Sequence, residues 1–180
     1  MMKKRVGNLL LIAGTGKNSG KTTLACGLIS HFSNQLQIFA LKISTHKHTP
    51  ADKELLLVAN NNYSIYEEKS ALKEKDSNRM LNAGAFRSFY LECKNENLPD
   101  AFDHFLTLIP LAKPIIVESP ALYHFIEPGV FMIADHPGVA LKKQEIIDLT
   151  ETNLVIDINK DTLPDLYDSL RFKNNEWLFV

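Results

Sequence analysis

The chain is 180 residues long, enough for one domain, spanning 1–180, with a sizeable core. It is 45% hydrophobic and 23% charged, with a formal net charge of −1, which argues against a general nucleic-acid or membrane-surface binder. No apolar run is long enough to span a bilayer, and two cysteines without metal-site spacing, Cys26 and Cys93, point to a reduced cytoplasm.

The head, Met1-Met2-Lys3-Lys4-Arg5, carries the charge of a signal peptide. The apolar run after it leads into Gly14 and Lys17 instead of a cleavage site, so it reads as the first strand, Gly7 to Ala13. Lys21 to Phe32 follows as a helix, with Leu24, Leu28, Ile29 and Phe32 at helical spacing. Between them lies Gly14-Thr15-Gly16-Lys17-Asn18-Ser19-Gly20-Lys21-Thr22-Thr23. A glycine-rich turn between a strand and a helix directs backbone N–H groups at an anion, at the positive end of the helix dipole. The pattern is a variant P-loop, with Thr15 where G-x-x-x-x-G-K-[ST] has its first glycine. It makes Gly16, Lys17, Asn18, Ser19, Gly20, Lys21, Thr22 and Thr23 the candidate nucleotide-binding residues. Lys21 would reach the β/γ-phosphates, and the Thr22 hydroxyl would ligate Mg²⁺.

Leu36 to Ile43 reads as the second strand, and this βαβ opening predicts an α/β fold: a mostly parallel sheet with helices on both faces, three layers in all. Ser44 to Pro50 is a polar loop at the edge where open α/β sheets bind ligands. Within it His46 and His48, two apart and near Lys42 and Lys47, read either as a metal or anion site or as a solvated loop. Lys53 to Ala59 is a short helix or a strand, Asn60-Asn61-Asn62 a turn, and Tyr63 to Glu67 an edge strand. The charged segment from Ser70 to Ala85 turns helical, with Asp76 or Ser77 as cap. By composition alone its run Lys73 to Arg79 is a solvated face.

Ala85 to Cys93 reads as a strand, Lys94 to Asn97 as a turn and Leu98 to Leu111 as a helix, with Pro99 in its first turn. Pro114 to Glu118 and Val130 to Ala134 read as strands, Leu141 to Leu149 as a helix and Asn153 to Ile158 as a strand. Leu163 to Leu170 reads as a short helix, and Glu176 to Val180 as a final edge strand. Glu118 ends an apolar strand, so its carboxylate would face the loop from a neighbouring strand and hold Mg²⁺ or orient water. That makes Lys21 and Glu118 the candidate catalytic residues and Thr22 and Glu118 the candidate metal ligands. Asp135 competes for the acidic role, and Asp157 comes third. Asn159-Lys160-Asp161 is a weak echo of a guanine-reading motif, its aspartate one residue early.

Taken together, these stretches resemble a known family. Lys17 to Leu24, Leu41-Lys42 followed by His46 and His48, Lys75-Asp76-Ser77-x-Arg79 with Ala83-Gly84-Ala85, and Val117-Glu118 are similar in order and spacing to the molybdopterin-guanine dinucleotide biosynthesis adaptor proteins. The likeness covers roughly residues 7 to 120, with Ser119-Pro120 where that family has a glycine and an aromatic residue. It implies a P-loop NTPase fold of the branch that includes dethiobiotin synthetase. It also implies binding of GTP or a related nucleotide with Mg²⁺, weak hydrolysis at most, and often a dimer. A helper role beside a cofactor-biosynthesis enzyme, the molybdopterin guanylyltransferase, is implied too. It further assigns Lys42, His46, His48, Asp76 and Arg79 to a ligand edge. The alternative expectation is an ATP-dependent small-molecule kinase or ligase similar to dethiobiotin synthetase.

Overall fold

The computed structural model describes residues 3–45, 54–69, 75–136, 154–158 and 163–180. The expected helix 141–149, His46, His48 and Asn159 to Asp161 lie outside the described residues. The fold is α/β. Its eight-stranded sheet has the order β3-β4-β5-β2-β6-β1-β7-β8. These strands are β1 (Lys4–Gly14), β2 (Phe39–Ser44), β3 (Glu54–Ala59), β4 (Tyr63–Glu68), β5 (Arg87–Cys93), β6 (Ile115–Glu118), β7 (Ile126–Asp135) and β8 (Leu154–Asp157). From β5 to β8 every neighbouring pair is parallel; β3 and β4 add an antiparallel flank.

The apolar run of β1 is continuous because both of its faces are covered. Leu9 and Leu11 join one core with Phe39, Phe89 and helix α3 (Leu98–Thr107). Leu10 and Ile12 join the other with α1 (Lys21–Phe32), α2 (Asp76–Asn82) and α4 (Leu163–Asp168). Helices therefore pack on both faces of the sheet. On α1 the buried positions Leu24, Ala25, Leu28, Ile29 and Phe32 form one stripe. On α3 Ala101, Phe102 and Phe105 do the same, after Pro99 in the first turn.

Several expectations need correction. Of the two readings for the stretch before the asparagine turn, Glu54–Ala59 takes the strand, and it is the outer one, so Tyr63 to Glu68 is not an edge strand but lies inside the sheet, between β3 and β5. The turn explains this, since the Asn60 side chain accepts the N–H groups of Asn62 and Tyr63 and folds β3 back on β4. Neither Asp76 nor Ser77 caps α2; Lys75 holds the cap position, without a side-chain bond. The helix from Leu98 stops at Thr107, short of Leu111. The last strand is not an edge of the main sheet. Glu176–Phe179 (β10) pairs antiparallel with Leu170–Lys173 (β9). Asn174 and Asn175 turn between them at φ 52° and 63°, the left-handed pair that a two-residue hairpin needs. This hairpin brings Trp177, fully buried, onto the aromatic rings of Phe32 and Phe172.

Candidate functional site

The sheet sets three strand ends side by side. Ile12 of β1, Glu118 of β6 and Lys42 of β2 are in register, so the last two face the same side, towards α1. Beyond Ile12 the chain leaves β1 into residues 14–20. Thr15 is fully buried; its N–H donates to the Ala134 carbonyl at 3.1 Å and its hydroxyl to Asp135 Oδ1 at 2.6 Å. The loop then folds back over Gly14, where a Cβ would stand 2.1 Å from Ser19 Oγ. Asn18 and Gly20 take left-handed φ values of 62° and 86°. Gly20 is the N-cap of α1, so no side chain caps the helix, and its first turn holds no acidic residue. Such a terminus suits an anion. The Lys21 ammonium lies over the loop, donating to the Gly16 carbonyl at 2.6 Å and to Ser19 Oγ at 3.2 Å.

Glu118 is 1% exposed and draws the site together. Its Oε2 accepts the Thr22 hydroxyl at 2.8 Å, and its Oε1 accepts the Lys42 ammonium. Lys42 also lies 2.9 Å from Asp76 Oδ2, and Arg79 Nη1 stands 3.8 Å from Asp76 Oδ1, one turn along α2. Burial pushes Lys42 down, but the Glu118 and Asp76 carboxylates outweigh it, so its pKa lies above the ordinary value. Burial pushes Asp76 up, yet Lys42, the Thr22 hydroxyl and Arg79 hold it below the usual carboxylate range. Cys26, one turn beyond Thr22, has its thiol pushed up to about 11, chiefly by burial, and is no nucleophile near neutrality.

A cavity of about 490 Å³ opens here, lined by residues 17–23, Lys42, Asp76, Arg79 and Glu118. The sequence-predicted residues Lys17 to Thr23, Lys42, Asp76, Arg79 and Glu118 thus share one cavity. Asp135 is near by but bonds Thr15, and Asp157 pairs in register with it on the exposed outer strand. Sequence reasoning missed Glu68. This buried carboxylate accepts Ser77 Oγ at 2.5 Å and Asn78 Nδ2 at 2.6 Å, and Ser88 Oγ donates to the Ser77 carbonyl at 2.7 Å. With Met80 in the core, these bonds fix α2 so that Asp76 and Arg79 turn to the cavity. The only signal was a polar pair, Ser77-Asn78, at the start of a helix that buries one face.

Among the described residues, no three His, Cys, Asp or Glu side chains gather as a metal cluster. The Thr22 hydroxyl and the Glu118 and Asp76 carboxylates are hard oxygen donors, which fit Mg²⁺ shared with phosphates and water. Among the described residues no helix is long and apolar enough to cross a membrane. A second cavity, of about 410 Å³, lies at the 60–62 turn and the ends of β4 and β5, and none of the sequence-predicted site residues lines it. No family model, no curated protein and no solved structure matches this chain.

Proposed function

We propose that this chain is a P-loop nucleotide-binding protein that takes GTP or ATP with Mg²⁺ and hydrolyses it weakly. The observation that carries this reading is the Thr22 hydroxyl on the buried Glu118 carboxylate at 2.8 Å, directly beside the Lys21 loop. Residues 16–23 would hold the phosphates, with Lys21 exchanging its bonds to Gly16 and Ser19 for phosphate oxygens. Thr22 and Glu118 would hold Mg²⁺, with Asp76 beside them; the metal supplies neutralisation of phosphate charge. Glu118, fixed by two hydrogen bonds, is the group to orient an attacking water. A reduced, cytoplasmic setting fits the two free thiols, Cys26 and Cys93. An adaptor role in molybdopterin-guanine dinucleotide synthesis, with a partner enzyme and a dimer, rests on the sequence resemblance.

A second reading has its own support. Lys42 and Arg79 line the same cavity as the loop, as a small-molecule kinase or ligase would need for an acidic second substrate. Thermal-shift measurements with ATP, GTP and their diphosphates plus Mg²⁺ test the common core of both readings, since a ligand that binds the folded state raises the melting temperature. Lys21→Ala should abolish the triphosphate shift and leave the unliganded melting temperature within about 2 °C of the parent. Unchanged affinity in that variant overturns the P-loop reading, and the absence of any triphosphate shift in the parent overturns nucleotide binding itself. A further shift from small carboxylic acids in the presence of nucleotide would favour the kinase or ligase.

A further inference from the structure

Lys42 stands where a cation would otherwise be drawn. Its ammonium donates to Glu118 Oε1 and lies 2.9 Å from Asp76 Oδ2, with 17% of its side chain exposed. The same Glu118 carboxylate receives Thr22. The hard oxygen donors of the cavity are thus already gathered on a charge of the chain's own. The wider lining reinforces this, because Lys17, Lys21, Lys42 and Arg79 outnumber Asp76 and Glu118. A bare divalent ion would meet a net positive field, and Mg²⁺ sheds its water reluctantly. It would also have to break two charge-assisted hydrogen bonds. A polyphosphate reverses that field by bringing several negative charges with the metal.

We infer that Lys42 is a resident counter-ion that closes this position to free divalent cations, so that the metal enters only together with a polyphosphate. The polyphosphate half rests on the nucleotide reading above. The exclusion of bare metal rests on the Lys42 ion pairs and the positive lining, independently of that reading. On polyphosphate binding the ammonium leaves the two carboxylates to the incoming metal and turns to the phosphate-bearing side of the cavity. Lys42 therefore sets the order of binding as well as the charge of the site.

The test is calorimetric titration of the full chain with MgCl₂, and then MnCl₂, without nucleotide. Wild type should bind either ion more weakly than about 1 mM, and Lys42→Met should bind at least about tenfold more tightly. Lys42→Arg, which keeps the charge, should behave as wild type. Adding Glu118→Gln to Lys42→Met should remove the gain. Should Lys42→Met melt without metal, Mg²⁺ alone should restore its folded circular-dichroism spectrum. Equal affinity in wild type and Lys42→Met, or no restoration by Mg²⁺, overturns the inference. If no triphosphate binds wild type but Lys42→Met gains bare metal, the nucleotide reading fails and the counter-ion survives. If triphosphate binds and the gain is missing, the reverse holds.

Discussion

Thr15 replaces a glycine of the usual phosphate-loop pattern, and the local backbone explains why it can. The left-handed positions of the loop are Asn18 and Gly20, and Thr15 is not one of them. A side chain is therefore tolerated at 15, and its hydroxyl engages Asp135. The two acids that compete in the sequence are thereby separated: Asp135 steadies the loop, and Glu118 reaches Thr22. Glu118→Gln should lower the rate of phosphate release by about 100-fold or more, with nucleotide affinity changed far less, because a water-orienting carboxylate acts in the transition state. Asp135→Asn should weaken binding and rate together. If the split belongs to Asp135→Asn, the acid is misassigned. The meeting of Lys21, Thr22 and Glu118 was legible because it follows from position, at a loop before a helix and at the end of a buried strand. Asp76 and Arg79 were legible only through a family likeness. Their charge run reads as solvated, and the bonds from Glu68 that turn it inward join residues whose relation no periodicity reveals.

At the scale of elements, strands and helices with two covered faces were readable, and pairing was not. The βαβ opening implied that β1 and β2 run parallel but not their order; β6 lies between them, which is how Glu118 comes to stand between Lys42 and the loop. Strand order depends on contacts far apart in sequence, which local pattern does not encode. The hairpin of β9 and β10 is different, because Asn174-Asn175 was a local turn signal, while the helix reading of 163–170 ran two residues past Asp168 into Leu170, where β9 starts. Helix α3 offers a separation of fold from site. Phe105 is fully buried against Phe89 and Phe102, in the core on the face of the sheet away from α1. Phe105→Ala should cost about 3–5 kcal/mol of stability, measured by urea unfolding, and leave nucleotide affinity of the folded fraction unchanged. A large loss of affinity at full foldedness would mean that α3 and the cavity are coupled.

At the scale of the whole molecule, the site's ion pairs set a pH window. Asp76 is held below its ordinary pKa, so its stabilising share is present above about pH 4 and is lost as pH falls through the folded-state value. Lys42 is held above its own, so its share is full below about pH 10.4 and is lost as pH rises further. Melting temperatures from pH 3 to 11 should plateau between these limits. Asp76→Asn should flatten the acid limb and Lys42→Met the alkaline one; limbs unchanged by either variant would remove the ion pairs from the stability of the fold.

Trp177 is the chain's sole tryptophan. It is sealed between Phe32 and Phe172, and its indole N–H meets no acceptor among the described residues. An indole in such apolar surroundings emits towards the blue and shifts red when water reaches it. Phe32 closes the helix that Lys21 opens, about 16 Å away along its axis. The light therefore comes from the far end of α1, beyond reach of direct quenching by a bound nucleotide. One intrinsic chromophore thus reports global unfolding with ligand present or absent, and no extrinsic dye is needed.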